Sequence, residues 1–460
     1  MTRAETVDFL KEHNQRHIIQ HYQRLSPDKQ DLFWKNLKGL DLPLVFKLHR
    51  EFSGVETSVH LPRDIQPAPI ITIPETPSEI TFQEKAHREG EALLRENRVA
   101  VLVVAGGQGS RLGFAGPKGA FPISPVRKKS LFQLFAETVS ALNRRYRAAI
   151  PLLIMTSPEN DRPVKDFFQA HHFFGLDSGT VFFFRQEMLP TVTADGGLIL
   201  KDETRLFTNP DGHGGFFKAF HKSGLLSEMA QRGFSDLFYC QVDNPLVKIA
   251  DPVFLGYHRL AKSEFSLKVL RRRNAAEKIG VYAFLDGKPG VIEYSDLTPE
   301  NDCSDRGGSM RFWAGSIAIH ILSLSFVGRL NQQGFSLPYH RAVKVMETPV
   351  RDGKKKKVTV WKFETFVFDG LPLADRTCCV ETLREEEFAP VKNRQGEDSV
   401  DTAVQALSGR ARQWLIGTGS AAVAPDVLVE ISPRYALDKE ELAAKLKGKV
   451  LVIKKDTYLE

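Results

Sequence analysis

The run Val101-Leu-Val-Val-Ala-Gly-Gly-Gln-Gly-Ser-Arg-Leu-Gly113, continued by Gly116-Pro-Lys-Gly119, decides the fold. Its opening belongs to the apolar stretch Val99–Ala105, which has the length of a buried strand rather than a helix. Gly106, Gly107 and Gly109 follow at once. Glycines there let the backbone approach a ligand closely, with amide N–H groups free to bind oxygens. Arg111 and Lys118 add two cations to the same loop. In α/β sheets such a loop sits at the carboxyl end of its strand, where ligands bind. Two familiar patterns fail. GxGxxG breaks because Leu112 stands where the third glycine belongs, and GxxxxGK[ST] breaks because Lys118 is followed by Gly119.

Outward from this loop, short apolar runs alternate with helical patterns. Strand-like runs are Val99–Ala105, Pro151–Thr156, Val181–Phe184, Leu237–Val242, Ser266–Leu270 and Ile279–Leu285, and helix-like segments include Leu131–Tyr146 and Arg162–His171. This alternation predicts an α/β, Rossmann-like domain with a mixed, mostly parallel sheet. Residues 1–50 carry apolar positions near helical spacing, with Ser26-Pro27 as a stop and restart. Residues 61–77 hold Pro62, Pro67, Pro69, Pro74 and Pro77, which predicts an extended strap. Thr81-Phe-Gln-Glu84 reads as a capping box opening a helix to about Asn97. Near the end, Thr402–Ile416 reads as a helix, and Val427–Ile431 and Lys449–Lys454 read as strands. Lys354–Lys357 reads as a solvated hairpin tip. The expected division is a helical region and proline strap at 1–90, a large α/β domain at 91–395 and a small β-containing C-terminal domain at 396–460.

Composition sets the outer limits. Of 460 residues, 42% are hydrophobic and 26% charged, which excludes a mainly disordered chain. The 63 basic against 56 acidic residues leave a net charge of +7, a hint of acidic ligands and no basic tail for nucleic acid. The cysteines Cys240, Cys303, Cys378 and Cys379 form no CxxC pair and suit a reduced compartment. No signal-peptide core and no membrane-length apolar run is visible, so a soluble cytoplasmic protein, monomeric or weakly oligomeric, is expected.

The glycine-rich loop resembles the signature of the UDP-sugar pyrophosphorylase family. Further motifs agree in order: Phe184-Arg-Gln-Glu-Met-Leu-Pro190, Asn209-Pro-Asp-Gly-His-Gly-Gly215, Tyr239-Cys-Gln-Val-Asp-Asn244, Val291-Ile-Glu-Tyr-Ser295, Lys362-Phe-Glu-Thr-Phe-Val-Phe-Asp369 and Arg384-Glu-Glu-Glu-Phe-Ala-Pro-Val-Lys-Asn393. The resemblance spans about residues 90–435. It is strongest to the eukaryotic-type UDP-N-acetylglucosamine branch, with some UDP-glucose pyrophosphorylase features.

The resemblance implies a uridylyltransferase that makes a UDP-sugar and pyrophosphate from UTP and a sugar 1-phosphate, with Mg²⁺ as cofactor. It implies catalytic cations at Arg111, Lys118 and Lys392, and Mg²⁺ at Asp243. It places uridine and phosphates on Ala105, Gly106, Gly107, Gln186, Gly212 and Lys362, and the sugar on His213, Asn244, Gly280 and Glu293. An amide such as Gln186 offers the donor and acceptor that a uracil edge needs. Read without the resemblance, Gln186 is an exposed polar residue, Asp243 a turn aspartate before Asn244-Pro245, and Lys362 and Lys392 surface lysines.

Two positions depart from the N-acetylglucosamine pattern. His213 stands where that branch has Asn, and Ile319, in Gly315-Ser-Ile-Ala-Ile-His320, stands where it has an Asn near the acetamido group. N-acetylglucosamine 1-phosphate and glucose 1-phosphate therefore both stay open. A catalytically inactive nucleotide-sugar sensor is the alternative; it should lack the loop cations or the carboxylate, and Arg111, Lys118 and Asp243 are all present.

Overall fold

A computed structural model describes residues 1–54, 62, 64–294, 297, 310–332, 334–335, 337–349 and 355–460. Two compact units are interleaved along the chain. One is built from Met1–His60, Gln186–Phe216 and Ser336–Asp369, the other from Leu61–Arg185, Phe217–Phe335 and Gly370–Glu460.

The larger unit is organised by a ten-stranded sheet. Its strands are β1 (Ile65–Gln66), β2 (Val99–Val104), β3 (Leu152–Thr156), β4 (Val181–Arg185), β5 (Asp236–Gln241), β6 (Phe265–Arg271), β7 (Val281–Leu285), β8 (Lys288–Ile292), β9 (Ala314–Ser323) and β10 (Thr377–Glu381). The main path runs β1-β7-β9-β5-β2-β3-β4. The sheet is mixed, as expected. β5, β2, β3 and β4 form a parallel block, and β10 lies parallel to β6. β9 enters antiparallel to both β5 and β6, and β7 and β8 make an antiparallel hairpin.

β2 reads as an unbroken apolar run because helices cover both faces of the parallel block; Val99 to Val103 are wholly buried. Leu131–Tyr146 is a helix over the expected span, and Asp161–Ala170 begins one residue before the expected one. The proline strap adds main-chain pairing at a sheet edge: Ile71 N–H donates to Cys379 O at 2.9 Å, and Glu381 N–H donates to Ile71 O at 2.8 Å.

One helix start is corrected. The helix is Pro77–Arg95, and its capping box is Thr76 with Glu79, not Thr81 with Glu84. Both pairs have the same spacing. Pro77 decides between them, since proline fits the first helical position, where no N–H is required. Thr81 lies inside the helix and donates its hydroxyl to Pro77 O at 2.8 Å.

The C-terminal segment of this unit starts with helix Val400–Gly417. Strand Ala421–Val423 pairs parallel with Leu451–Ile453, and Val429–Ile431 with Thr457–Leu459. Leu415, Val429, Leu442 and Leu446 form its core. Cys240, Cys378 and Cys379 are buried free thiols, and burial pushes Cys378 up to about 12. Cys303 lies outside the described residues.

The smaller unit contains helices Arg3–Glu12, Arg16–Gln23, Pro27–Lys38 and Leu42–Phe52. Pro27 is the first residue of its helix and Ser26 its N-cap position, as the Ser26-Pro27 step predicts. Ile18, Phe33, Val45 and Leu48 pack with Leu189, Val192, Leu198 and Phe363 in one core. Strand Lys355–Glu364 pairs antiparallel with His340–Pro349 and with Val192–Thr193. The expected hairpin tip at Lys354–Lys357 begins outside the described residues, and strand Lys355–Glu364 starts within that run.

Candidate active site

In the larger unit the glycine-rich segment leaves β2 and folds back on itself. Gly109 N–H donates to Gly116 O at 2.9 Å and Lys118 N–H to Gly107 O at 3.2 Å. Gly119 takes a position that no other residue fits, because a Cβ there would stand 2.2 Å from the Phe132 ring. Asn160, wholly buried, holds the start of the loop: its side-chain amide donates to Ala105 O at 2.8 Å and to Gly107 O at 3.2 Å. Ala105 and Gly107 are thus oriented by a residue that the sequence reading missed; no spacing around Asn160 marks it.

Lys118 and Asp243 meet. Lys118 Nζ lies 3.3 Å from Asp243 Oδ2, and each side chain is 17% exposed, so the pair is screened by solvent less than a surface pair. Asp243 follows β5, the strand beside β2, and Lys118 closes the loop after β2, so parallel pairing brings the two together. Arg111 lies exposed in the short 3-10 turn Ser110–Leu112 of the same loop. Arg394 adds a cation missed from sequence, with its guanidinium 3.3 Å from where a Cβ on Gly113 would stand. Lys392 Nζ donates to Asp398 Oδ2 at 3.0 Å, and Val391 N–H donates to Asp243 O at 2.8 Å. Gly280 and Glu293 are neighbours, Glu293 Oε1 lying 3.8 Å from the Cβ position of Gly280.

Two expectations about the sugar meet a different geometry. Asn244 is 4% exposed and its amide is spent on main chain. It donates to Glu387 O at 2.7 Å and accepts from Ala389 N–H at 3.1 Å and Leu246 N–H at 3.3 Å, so it braces these loops. Ile319 is 1% exposed and packs in the main core.

In the smaller unit Gln186, Gly212, His213 and Lys362 gather around Asp211 and strand Lys355–Glu364. Gln186 donates its amide to Asp211 Oδ1 at 3.2 Å and to Gly212 O at 3.1 Å, leaving the amide oxygen as its acceptor. Gly212 has φ +86°, and a Cβ there would come within 2.2 Å of Thr365 O. That crowding keeps glycine beside His213. Thr365 N–H donates to Asp211 O at 2.8 Å, and Gly214 N–H donates to Thr365 O at 2.9 Å. His213 Nδ1 accepts from Val367 N–H at 3.1 Å. Burial lowers the His213 pKa to about 4, with Asp369 opposing and His340 reinforcing the shift. The ring therefore stays neutral near pH 7, with Nδ1 occupied and the proton on Nε2. Phe366 lies 5.3 Å from the His213 ring and 5.1 Å from Phe368. Lys362 shares a strand face with Glu364, whose pKa burial raises against the pull of Lys362.

These features coincide with sequence likeness over nearly the whole chain. The sequence model of the family described as UTP–glucose-1-phosphate uridylyltransferase matches residues 58–449. The chain belongs to this family. It is 33% identical to UDP-N-acetylglucosamine diphosphorylase 2 of Arabidopsis thaliana, over 96% of this chain and 91% of that protein. It is likewise 33% identical to the UDP-N-acetylglucosamine pyrophosphorylase of Saccharomyces cerevisiae, over 97% of this chain and 98% of that one. Among solved structures, the uridine diphosphate N-acetylglucosamine pyrophosphorylase of Trypanosoma brucei superposes with a TM-score of 0.82 at 25% identity, covering 99% of this chain and 98% of that chain.

Proposed function

We propose that the protein is a uridylyltransferase that joins UTP and a sugar 1-phosphate into a UDP-sugar, with release of pyrophosphate. The observation that carries this reading is the Lys118–Asp243 pair beside a glycine-rich loop at the carboxyl edge of the parallel block. In-line attack by the sugar phosphate oxygen on the α-phosphorus needs positioning and charge neutralisation more than a covalent nucleophile. Arg111 and Lys118 neutralise the triphosphate and the departing pyrophosphate, and Lys392 the sugar phosphate. In the larger unit, main chain at Ala105, Gly106 and Gly107 is assigned to uridine; in the smaller unit, Gln186 and Gly212 are assigned to the nucleotide and Lys362 to phosphate oxygens.

Among the described residues no three His, Cys, Asp or Glu side chains gather into a metal cage. Asp243 is a single carboxylate, and Mg²⁺ is commonly held by one or two carboxylates together with substrate phosphates. The residues fit a Mg²⁺ that arrives with UTP. Asp243 would hold it, and the ion would supply charge neutralisation to the phosphates.

For the sugar, the larger unit offers Glu293, beside Gly280, as an acceptor; in the smaller unit His213 carries a neutral Nε2–H donor. N-acetylglucosamine 1-phosphate is the favoured substrate, supported by the activities for which the relatives are named and by the structural match over 99% of the chain. Glucose 1-phosphate is the second reading, favoured by a histidine at 213. The test is pyrophosphate release from UTP and Mg²⁺ with each of the two sugar phosphates. Release with N-acetylglucosamine 1-phosphate at the higher kcat/KM is expected. No release with either, from folded protein that binds UTP, returns the alternative of an inactive sensor.

A further inference from the structure

Strand β6 carries a lysine where both faces of the sheet are covered. Lys268 is 2% exposed, and an ammonium buried this deeply must be paired. Its Nζ donates to Asp251 Oδ2 at 2.7 Å and to Glu387 Oε1, and lies 5.2 Å from the Phe254 ring centre. Thr382 Oγ1 also donates to Glu387 Oε1, at 2.8 Å. Two carboxylates thus share one cation, and Glu387 Oε2 is buried with no hydrogen-bond partner among the described residues. Replacing such a cluster by apolar residues is often neutral or stabilising, so stability alone does not explain its presence.

Its position does. Asp251 ends the segment that Asp243 begins, and Glu387 begins the segment that ends in Lys392. These two segments are also stitched to each other by Asn244 to Glu387 O and Ala389 N–H, and by Val391 N–H to Asp243 O. From helix Val400–Gly417, Arg410 donates to Leu246 O at 2.8 Å, in the first segment, and to Glu386 O at 2.9 Å, immediately before the second. Burial pushes the Asp251 pKa up, but Lys268 and Lys248 beside it more than offset this and keep it ionised.

We infer that Lys268, with Asp251 and Glu387, is a positioning hub that sets the spacing between the Asp243 carboxylate and the Lys392 ammonium during catalysis. None of the three need touch substrate. The inference rests on the proposed roles of Asp243 and Lys392.

The test uses the full chain and Glu387→Gln, which keeps shape and removes charge, with Lys268→Met as a second variant. Hydrogen exchange is followed in peptides covering 243–251 and 384–392, with β2 as the internal reference. Steady-state constants are taken for UTP and for whichever of N-acetylglucosamine 1-phosphate and glucose 1-phosphate the wild type uses better. Expected for Glu387→Gln is exchange about tenfold or more faster in both peptides and unchanged in β2, with kcat down about tenfold or more and KM moved less than about threefold. Turnover close to wild type despite faster exchange, or lost turnover without it, overturns the inference. Should Lys268→Met fail to fold, Glu387→Gln decides alone. Asp243→Asn separates the two levels. If it turns over like wild type, the reading of the site fails, while the exchange data still decide whether the hub holds the two segments.

Discussion

The neutral state of His213 can be tested by lowering the pH. An ordinary histidine titrates near ~6.5, so at pH 5 it is about 97% protonated. With a pKa of about 4, the His213 ring is only about 9% protonated at that pH. Two causes act in the same direction: burial disfavours the imidazolium, and the Val367 N–H aimed at Nδ1 from 3.1 Å leaves no room for a proton there. His340 adds to the effect and Asp369 opposes it.

The sign of the stability effect follows. Between pH 6.5 and 4 the unfolded chain binds a proton at this position that the folded chain refuses. This contribution is therefore present above about pH 6.5 and is lost as pH falls toward 4. Between pH 7 and 5 the loss from this one ring is about 2 kcal/mol. The primary assay is the ¹⁵N shift of the imidazole nitrogens in histidine-labelled protein, with His213 identified by its disappearance in His213→Asn. The expected spectrum shows a protonated Nε2 and an unprotonated Nδ1 down to pH 5. Urea midpoints should fall further for wild type than for His213→Asn over the same range. A midpoint near pH 6.5, or the proton on Nδ1, would refute the reasoning.

Three further outcomes are expected. Lys118→Met removes a cation from the phosphates and leaves Asp243 without its partner; kcat should fall on the order of 10²-fold with the melting temperature little changed, and near-normal turnover rules out its assigned role. Gly119→Ala drives a methyl into the wholly buried Phe132 ring, and should cost about 1–3 kcal/mol in urea unfolding; an unchanged midpoint would mean that the ring yields freely. Asn160→Ala leaves two carbonyls of the glycine-rich loop without their donor, and should weaken UTP binding measured by calorimetry by about tenfold; equal affinity would show that the loop holds its own shape.

Much of this was legible in order along the chain. The apolar run, the glycines, Arg111 and Lys118 are contiguous, so local pattern announces them. Asp243 directly follows an apolar run, and parallel strands bring their carboxyl ends to one edge. The capping box lies at Thr76, although Thr81 offers the same spacing, and only the proline at the first helical position separates them. Asn244 looked like a ligand contact because its neighbour Asp243 does; its three main-chain partners include Glu387 and Ala389, far along the chain. Ile319 aligns with a residue near the acetamido group in the resembling branch, and the fold places it in the core.

From the sequence by itself came the α/β class, the glycine-rich loop and the family, because each rests on residues close together in the chain or on motifs in a set order. The tertiary structure alone decided that residues 186–216 and 336–369 pack with the N-terminal helices. It also decided that Asn160 orients the glycine loop, that His213 holds its proton on Nε2, and that one buried lysine joins Asp251 to Glu387. Each of these depends on burial and on a partner distant in sequence, and no local spacing encodes either.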